Sequence, residues 1–269
     1  PKTGNLYQDP EDAVDGDGTK NNLIGVIGTK GGLGTTTAAV NLAISMYQKT
    51  GDQVTLAEIR PGNGSIGLML GYRNSTAQNT LINSAIQDIT LKKVKKALVM
   101  HGSGIQIMLS SYLPAHAELQ TNIDQLETIA NLVKKVAPHT VFDLGVGLNP
   151  IAQSILPLCN QLVVVLEPVP STIIQTKALL QNLQDLDFSE QDTFVLLISR
   201  TRLEITVPNT RVQNELNTEL SGVIMPAPEI SYQAALRHEA IMTHQPDSIP
   251  SKQFLRLADT LIHAKEIKG

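Results

Sequence analysis

The apolar run Leu23-Ile24-Gly25-Val26-Ile27-Gly28 passes directly into Thr29-Lys30-Gly31-Gly32-Leu33-Gly34-Thr35-Thr36-Thr37, and then into Ala38-Ala39-Val40-Asn41-Leu42-Ala43. No other feature restricts the chain's choices as much. The first run has the length and composition of a buried strand, and the last opens an apolar helix. A glycine-rich turn between them converges backbone N–H groups on one point, where the helix N-terminus adds partial positive charge. Glycine lets the backbone curl around an anion with no side chain in the way. The plainer alternative is a tight turn capped by threonine. Gly31, Gly32, Leu33, Gly34, Thr35, Thr36 and Thr37 are therefore the candidate phosphate-binding residues.

Short apolar runs recur at 23–28, 54–59, 105–110, 140–145, 161–167, 193–199 and 222–226, separated by amphipathic stretches near 36–49, 75–88, 119–136, 171–185, 207–220 and 251–266. Continuous apolar strands between helices imply a sheet covered on both faces. The expected architecture is a doubly wound α/β domain over residues 22–269. Its mostly parallel sheet has about seven strands, helices on both faces, and a ligand crevice at the strands' carboxyl ends. Residues 1–21 are polar, acidic and without period, and read as a flexible linker or N-terminal arm. The chain starts at Pro1 rather than Met, which suggests a piece of something longer. The plainer alternative is a frayed terminus or cloning remnant.

Composition excludes several functions. Aromatic residues make up 3% with no Trp, which argues against stacking on bases, and the net charge of −4 gives no general attraction to nucleic acid. No apolar stretch reaches the roughly 18 residues of a membrane span. The single Cys159 reads as a reduced core residue, and the histidines show no metal-binding spacing. Lys92, Lys93, Lys95 and Lys96 read as a solvated helix face, with contact to acidic lipid or DNA as the sharper alternative. The stripe Phe254, Leu255, Leu257, Ala258, Leu261 and Ile262 reads as a helix docked on the sheet, with an interfacial membrane helix as its rival. Gly62-Asn63-Gly64-Ser65-Ile66-Gly67 matches G-x-G-x-x-G, but Arg60-Pro61 breaks the junction with the preceding strand. A switch-like loop suits it better than a dinucleotide turn.

The common phosphate-loop pattern is G-x-x-x-x-G-K-S/T. Here Thr29 stands for its first glycine and Thr35 for its lysine. What remains, K-G-G-x-G-x-T-T, resembles the deviant Walker A loop of the MinD/ParA ATPases. Val141-Phe142-Asp143-Leu144-Gly145-Val146-Gly147 resembles that family's Walker B and switch II segment, although Asp143 read alone is also a plausible turn cap. Met225-Pro226, Glu229, Ala235 and Gln245-Pro246 resemble its closing strand and loops. The resemblance implies ATP or ADP with Mg²⁺ at Lys30–Thr37, and a homodimer in which Lys30 crosses to the partner's nucleotide. Thr36 would ligate the metal through its hydroxyl, and Asp143 would support it through water. Lys30 and Asp143 are the catalytic candidates, and Pro226 and Arg200 would contact the nucleotide. Family members often have Asn-Arg where this chain has Ser199-Arg200, so Arg200 would stack on adenine beside a shorter polar reader.

In the middle of the chain, Lys96-Ala97-Leu98, His101-Gly102-Ser103-Gly104-Ile105-Gln106-Ile107-Met108, Pro114 and Ala117-Glu118 look like the CpaE/TadZ branch. This resemblance implies a cytoplasmic factor for assembly or placement of Flp-type (tight-adherence) pili, at a cell pole or near the inner membrane. Its partners would be other pilus-assembly or polar-localisation proteins, and a receiver-like domain would fit upstream. A membrane-surface contact is compatible with it but not indicated. The family's second strand ends in D-x-D; this one ends Glu58-Ile59-Arg60. An arginine cannot orient water as a carboxylate does. With the loop lysine also missing, hydrolysis is expected to be slow or absent, so the chain is at most a weak ATPase. Arg60 would supply charge toward phosphate, or simply be a surface cation. Two other readings stay open: a nucleotide-independent pseudo-ATPase scaffold, and a DNA-riding partition ATPase.

Overall fold

The structure is a computed structural model that describes residues 22–73, 76–200 and 207–264. The linker expected at 1–21 lies outside the described residues. The apolar runs form strands β1 (Asn22–Gly28), β2 (Val54–Glu58), β3 (Val99–Met100), β4 (Gln106–Met108), β5 (His139–Val146), β6 (Gln161–Leu166), β7 (Thr193–Ile198) and β8 (Leu220–Ile224). The helices are α1 (Thr35–Thr50), α2 (Ile66–Met69), α3 (Ala77–Ile82), α4 (Leu91–Ala97), α5 (Ile123–Val133), α6 (Pro150–Ile155), α7 (Pro170–Asp185), α8 (Asn209–Leu216), α9 (Pro228–Arg237), α10 (Ile241–His244) and α11 (Ile249–His263).

All eight strands share one sheet, ordered β3-β4-β2-β5-β1-β6-β7-β8. Every pairing is parallel except β3 with β4. The sheet therefore has one strand more than the apolar runs suggested. β3 is two residues long, too short for a hydrophobic period to register. Its turn explains the His101-Gly102-Ser103-Gly104 motif. The His101 ring nitrogen Nδ1 lies 2.8 Å from the Ser103 hydroxyl. Gly104 has φ +95°, and a Cβ there would run into the Tyr47 ring.

Side chains alternate across the sheet, so Ile24 and Val26 enter one core and Ile27 the other. The first core lies under α1 and α11, the second under α5 and α6. The stripe read from the sequence is internal: Phe254, Leu257, Ala258 and Leu261 of α11 are all buried. The Asn41 side-chain oxygen on α1 accepts from the Met242 N–H at 2.9 Å, and the Gln161 amide donates to the Leu261 carbonyl at 2.7 Å. These bonds tie α10 to α1 and α11 to the sheet. On α4, Val94 is buried while the four lysines point outward. No helix among the described residues is long and apolar enough to cross a membrane. The chain builds β2 through β5 on one side of β1, then crosses to build β6 through β8 on the other. The strand order thus reverses at β1, and the crevice of such a sheet lies at that strand's carboxyl end.

Candidate functional site

β1 ends at Gly28, and the glycine-rich turn leaves it at this reversal point. Gly32 and Gly34 adopt φ +82° and +91°, conformations that a side chain would strain. A Cβ added to Gly31 or Gly32 would meet nothing within 4 Å, so the turn faces open space. α1 begins with no side-chain cap and no acidic residue in its first turn. No threonine side chain therefore caps its leading N–H groups. Lys30 is half-buried, and no hydrogen bond or ion pair ties it to another described residue.

The neighbouring ends of β2 and β5 are arranged differently. The β1–β5 register slips between Val26 and Ile27, which pair with Asp143 and Gly145, so Leu144 is the extra residue of a bulge. Bulges re-aim side chains. Here Asp143, buried, receives the Thr36 hydroxyl on Oδ2 at 2.6 Å and the Gly145 N–H on Oδ1 at 3.1 Å. Arg60 is not a surface cation. Its side chain is 20% exposed and turns inward, and its Nη2 lies 2.7 Å from Glu58 Oε1 and 2.9 Å from Asp143 Oδ2. The same nitrogen is 3.2 Å from Thr36 Oγ1 and 3.4 Å from Ser65 Oγ. Glu58 also accepts the Ser65 N–H at 2.8 Å. Burial pushes the Glu58 carboxyl above its usual range; Arg60 opposes this, Asp143 adds to it, and the Ser65 N–H opposes it.

Three side chains hold this corner that the sequence reading had not given a role. The Arg60 N–H donates to the Ser110 hydroxyl at 2.8 Å, Ser110 donates to Gln78 at 2.5 Å, and Gln78 donates to the Glu58 carbonyl at 2.9 Å. Ser65 completes the set from inside the G-x-G-x-x-G stretch. That stretch is packed tightly rather than arranged as a dinucleotide turn. A Cβ on Gly64 would collide with the Ser110 carbonyl, one on Gly62 would come within 2.5 Å of the Ala117 nitrogen, and the helix that follows is only α2. A dinucleotide turn needs a full helix there.

Mg²⁺ at Thr36 and Asp143 was the metal implied by resemblance. Such an ion takes oxygens at about 2.0–2.1 Å in octahedral array. The Thr36 hydroxyl donates its proton to Asp143 and keeps its oxygen lone pairs, but the Arg60 guanidinium already lies against both residues. No group of three or more His, Cys, Asp or Glu side chains among the described residues is placed to hold a metal ion. The cation that faces Thr36 and Asp143 as arranged is the Arg60 guanidinium.

On the other side of the turn, a cavity of about 310 Å³ is lined by Gly34, Thr37, Ser199, Arg200 and Met225, among others. Pro226 lines an adjoining one with Ser199 and Met225. Arg200 lies 3.7 Å from Glu167 and keeps nearly half its side chain exposed. Of the expected site residues, Gly34, Thr37 and Arg200 line one cavity, Pro226 lines the adjoining one, and Asp143 meets the turn through Thr36.

A glycine turn between the central strand and its helix, with a buried carboxylate at the next strand's end, defines a P-loop α/β protein. The chain belongs to the AAA_31 family, described as an AAA domain, whose model matches residues 21–196. It is 21% identical over 242 residues to an uncharacterized ATP-binding protein of Methanocaldococcus jannaschii, covering 89% of this chain and 87% of that one. Among solved structures it is similar to the septum site-determining protein MinD complexed with Mg-ADP from Pyrococcus horikoshii. That match has a TM-score of 0.76 and 21% identity, over 92% of this chain and 98% of that one. It is also similar to a ParA family ATPase from Chlorobium tepidum, with a TM-score of 0.77 and 17% identity, over 89% and 98% of the two chains. The fold is that of the MinD/ParA P-loop NTPases.

Proposed function

We propose that this chain binds ATP or ADP on Gly31–Thr37 and uses the bound nucleotide to pair with a second copy of itself, with little or no hydrolysis. One observation carries the reading: an open, uncapped glycine turn at the reversal point of the sheet, with Lys30 unpaired beside it. The N–H groups would hold the phosphates, and Arg200 and Pro226 would border the base. Lys30, at the start of the turn, would reach a partner's phosphates across a two-fold axis. Asp143, the other catalytic candidate, is bonded to Thr36 and Arg60, leaving no carboxylate at position 60 to orient water. ATP turnover close to background is therefore expected.

The ATP-binding description of the archaeal relative supports the nucleotide, and the CpaE/TadZ-like stretch from Lys96 to Glu118 supports a place in pilus assembly or polar positioning, in the cytoplasm. The test is calorimetric titration with ATP and ADP, together with sedimentation of wild type and Lys30→Ala. Heat of binding and a nucleotide-dependent dimer lost in Lys30→Ala are expected. A dimer indifferent to nucleotide and to Lys30 would leave the scaffold reading in its place. That second reading has its own support, since Nη2 of Arg60 is bonded to Thr36, Glu58 and Asp143 within the fold.

A further inference from the structure

We propose that Arg60 is the resident cation of this site. Its Nη2, caged by oxygens of Thr36, Glu58, Ser65 and Asp143, takes the place of a divalent ion, so that the turn accepts nucleotide phosphate without metal. This rests on the nucleotide reading above and specifies the form of the ligand. The cage is made of hard oxygen donors, two carboxylates and two hydroxyls, the kind that selects small cations. All four lie between 2.7 and 3.4 Å from one nitrogen. Those are hydrogen-bond lengths.

The guanidinium is held in place rather than resting there. Its backbone N–H is bound to Ser110, which Gln78 fixes in turn. Its stem lies where Gly145 has no side chain: a Cβ there would sit 2.6 Å from Nη1 and 3.0 Å from Cδ. Gly145 also has φ +71°, so the bulge that aims Asp143 at the cage is the same one that makes room for Arg60. The guanidinium fork matches carboxylate and phosphate oxygens alike. The buried Nε has no acceptor in the structure, and an oxygen of bound water or phosphate would complete its bonding. A second positive ion brought beside it meets both repulsion and occupied ligands.

The experiment is titration of the full chain with ATP and ADP, in excess Mg²⁺ and in EDTA, for wild type, Arg60→Gln and Arg60→Lys. Wild-type affinity is expected to change by less than about twofold, or to weaken, when Mg²⁺ is added. Arg60→Gln is expected to bind more tightly with Mg²⁺ than without it, and Arg60→Lys to behave as wild type. Mg²⁺ strengthening wild-type binding by about tenfold or more overturns the inference, whether or not the variants fold. If wild type binds nucleotide in neither buffer, the nucleotide reading falls, and Mn²⁺ alone decides the rest. Millimolar Mn²⁺ should leave the wild-type melting temperature unchanged; a rise there sinks the resident-cation idea on its own.

Discussion

The two halves of this crevice are built on opposite plans. The glycine turn is open, uncapped and short of partners, with Lys30 unpaired at its edge. The corner at the ends of β2 and β5 is closed: two buried carboxylates, two hydroxyls and the Nη2 of a guanidinium bond one another. An open half gains its bonding from a ligand, whereas a closed half contributes to the fold. Substitutions in the two should therefore fall on different measurements, binding in one and stability in the other.

The largest effect belongs to the closed half. Arg60→Gln removes the one cation between Glu58 and Asp143 and leaves two buried carboxylates facing each other. Breaking a buried ion pair from one side costs about 3–5 kcal/mol. Denaturant unfolding should show a loss of that order; a loss under about 1 kcal/mol would place this cluster with ordinary surface pairs and erase the contrast.

The deficit should also depend on pH. In the folded chain Glu58 titrates above its ordinary value, chiefly through burial. Its contribution to stability is fully present below the unfolded value of 4.5, and is lost as pH rises through the folded one. Arg60 pulls against that shift, so the variant should shift further. Its stability relative to wild type should be worse at about pH 8 than at about pH 5, measured by denaturation in both buffers. A deficit that is the same at both would mean that Glu58 is not the group left exposed by the loss.

In the open half, Lys30→Ala should leave stability within about 0.5 kcal/mol, since nothing in the fold depends on its charge. Nucleotide affinity should fall by about one decade, roughly 1.4 kcal/mol, read by calorimetry. Melting lowered along with binding would show that the turn, too, supports the fold. The smallest effect is a control. Lys49 and Asp259 approach to 2.6 Å, closer than either Arg60 pair, yet their side chains are 33% and 41% exposed. Lys49→Ala should cost only about 0–1 kcal/mol in the same unfolding assay. Burial rather than distance separates the two pairs.

Much of the layout was legible in the chain. The runs at 23–28, 54–59 and 161–167 became central strands because parallel strands are apolar on both faces, and that pattern is local. The turn at Lys30–Thr37 was legible for the same reason, since its strand, glycines and helix are contiguous. β3 escaped because two residues carry no period. β8 begins at Leu220, two residues ahead of the expected 222, because Leu220-Ser221 reads equally well as the end of a helix. The Arg60 cluster was legible only by its oddity. An arginine at the end of a buried strand is visible as a departure, but its partners come from positions 36, 58, 65 and 143. Ser65, Gln78 and Ser110 are ordinary residues whose importance comes from where the sheet delivers them.

The docking of α11 has a consequence for how the protein is made. α1, which opens at the phosphate turn, has its apolar side covered by residues near the other end of the chain, and Asn41 waits for the N–H of Met242. During synthesis the turn and its helix leave the ribosome ahead of the segment that covers them, since Asn41 and Met242 are 201 residues apart. Contacts between segments so far apart in the chain form late and slowly. A nascent chain ending before about residue 241 has the whole glycine motif but lacks the partner of Asn41 and the helix that covers α1. The packing of α1 is complete only once that segment has emerged, so a product truncated ahead of it carries the motif without its support.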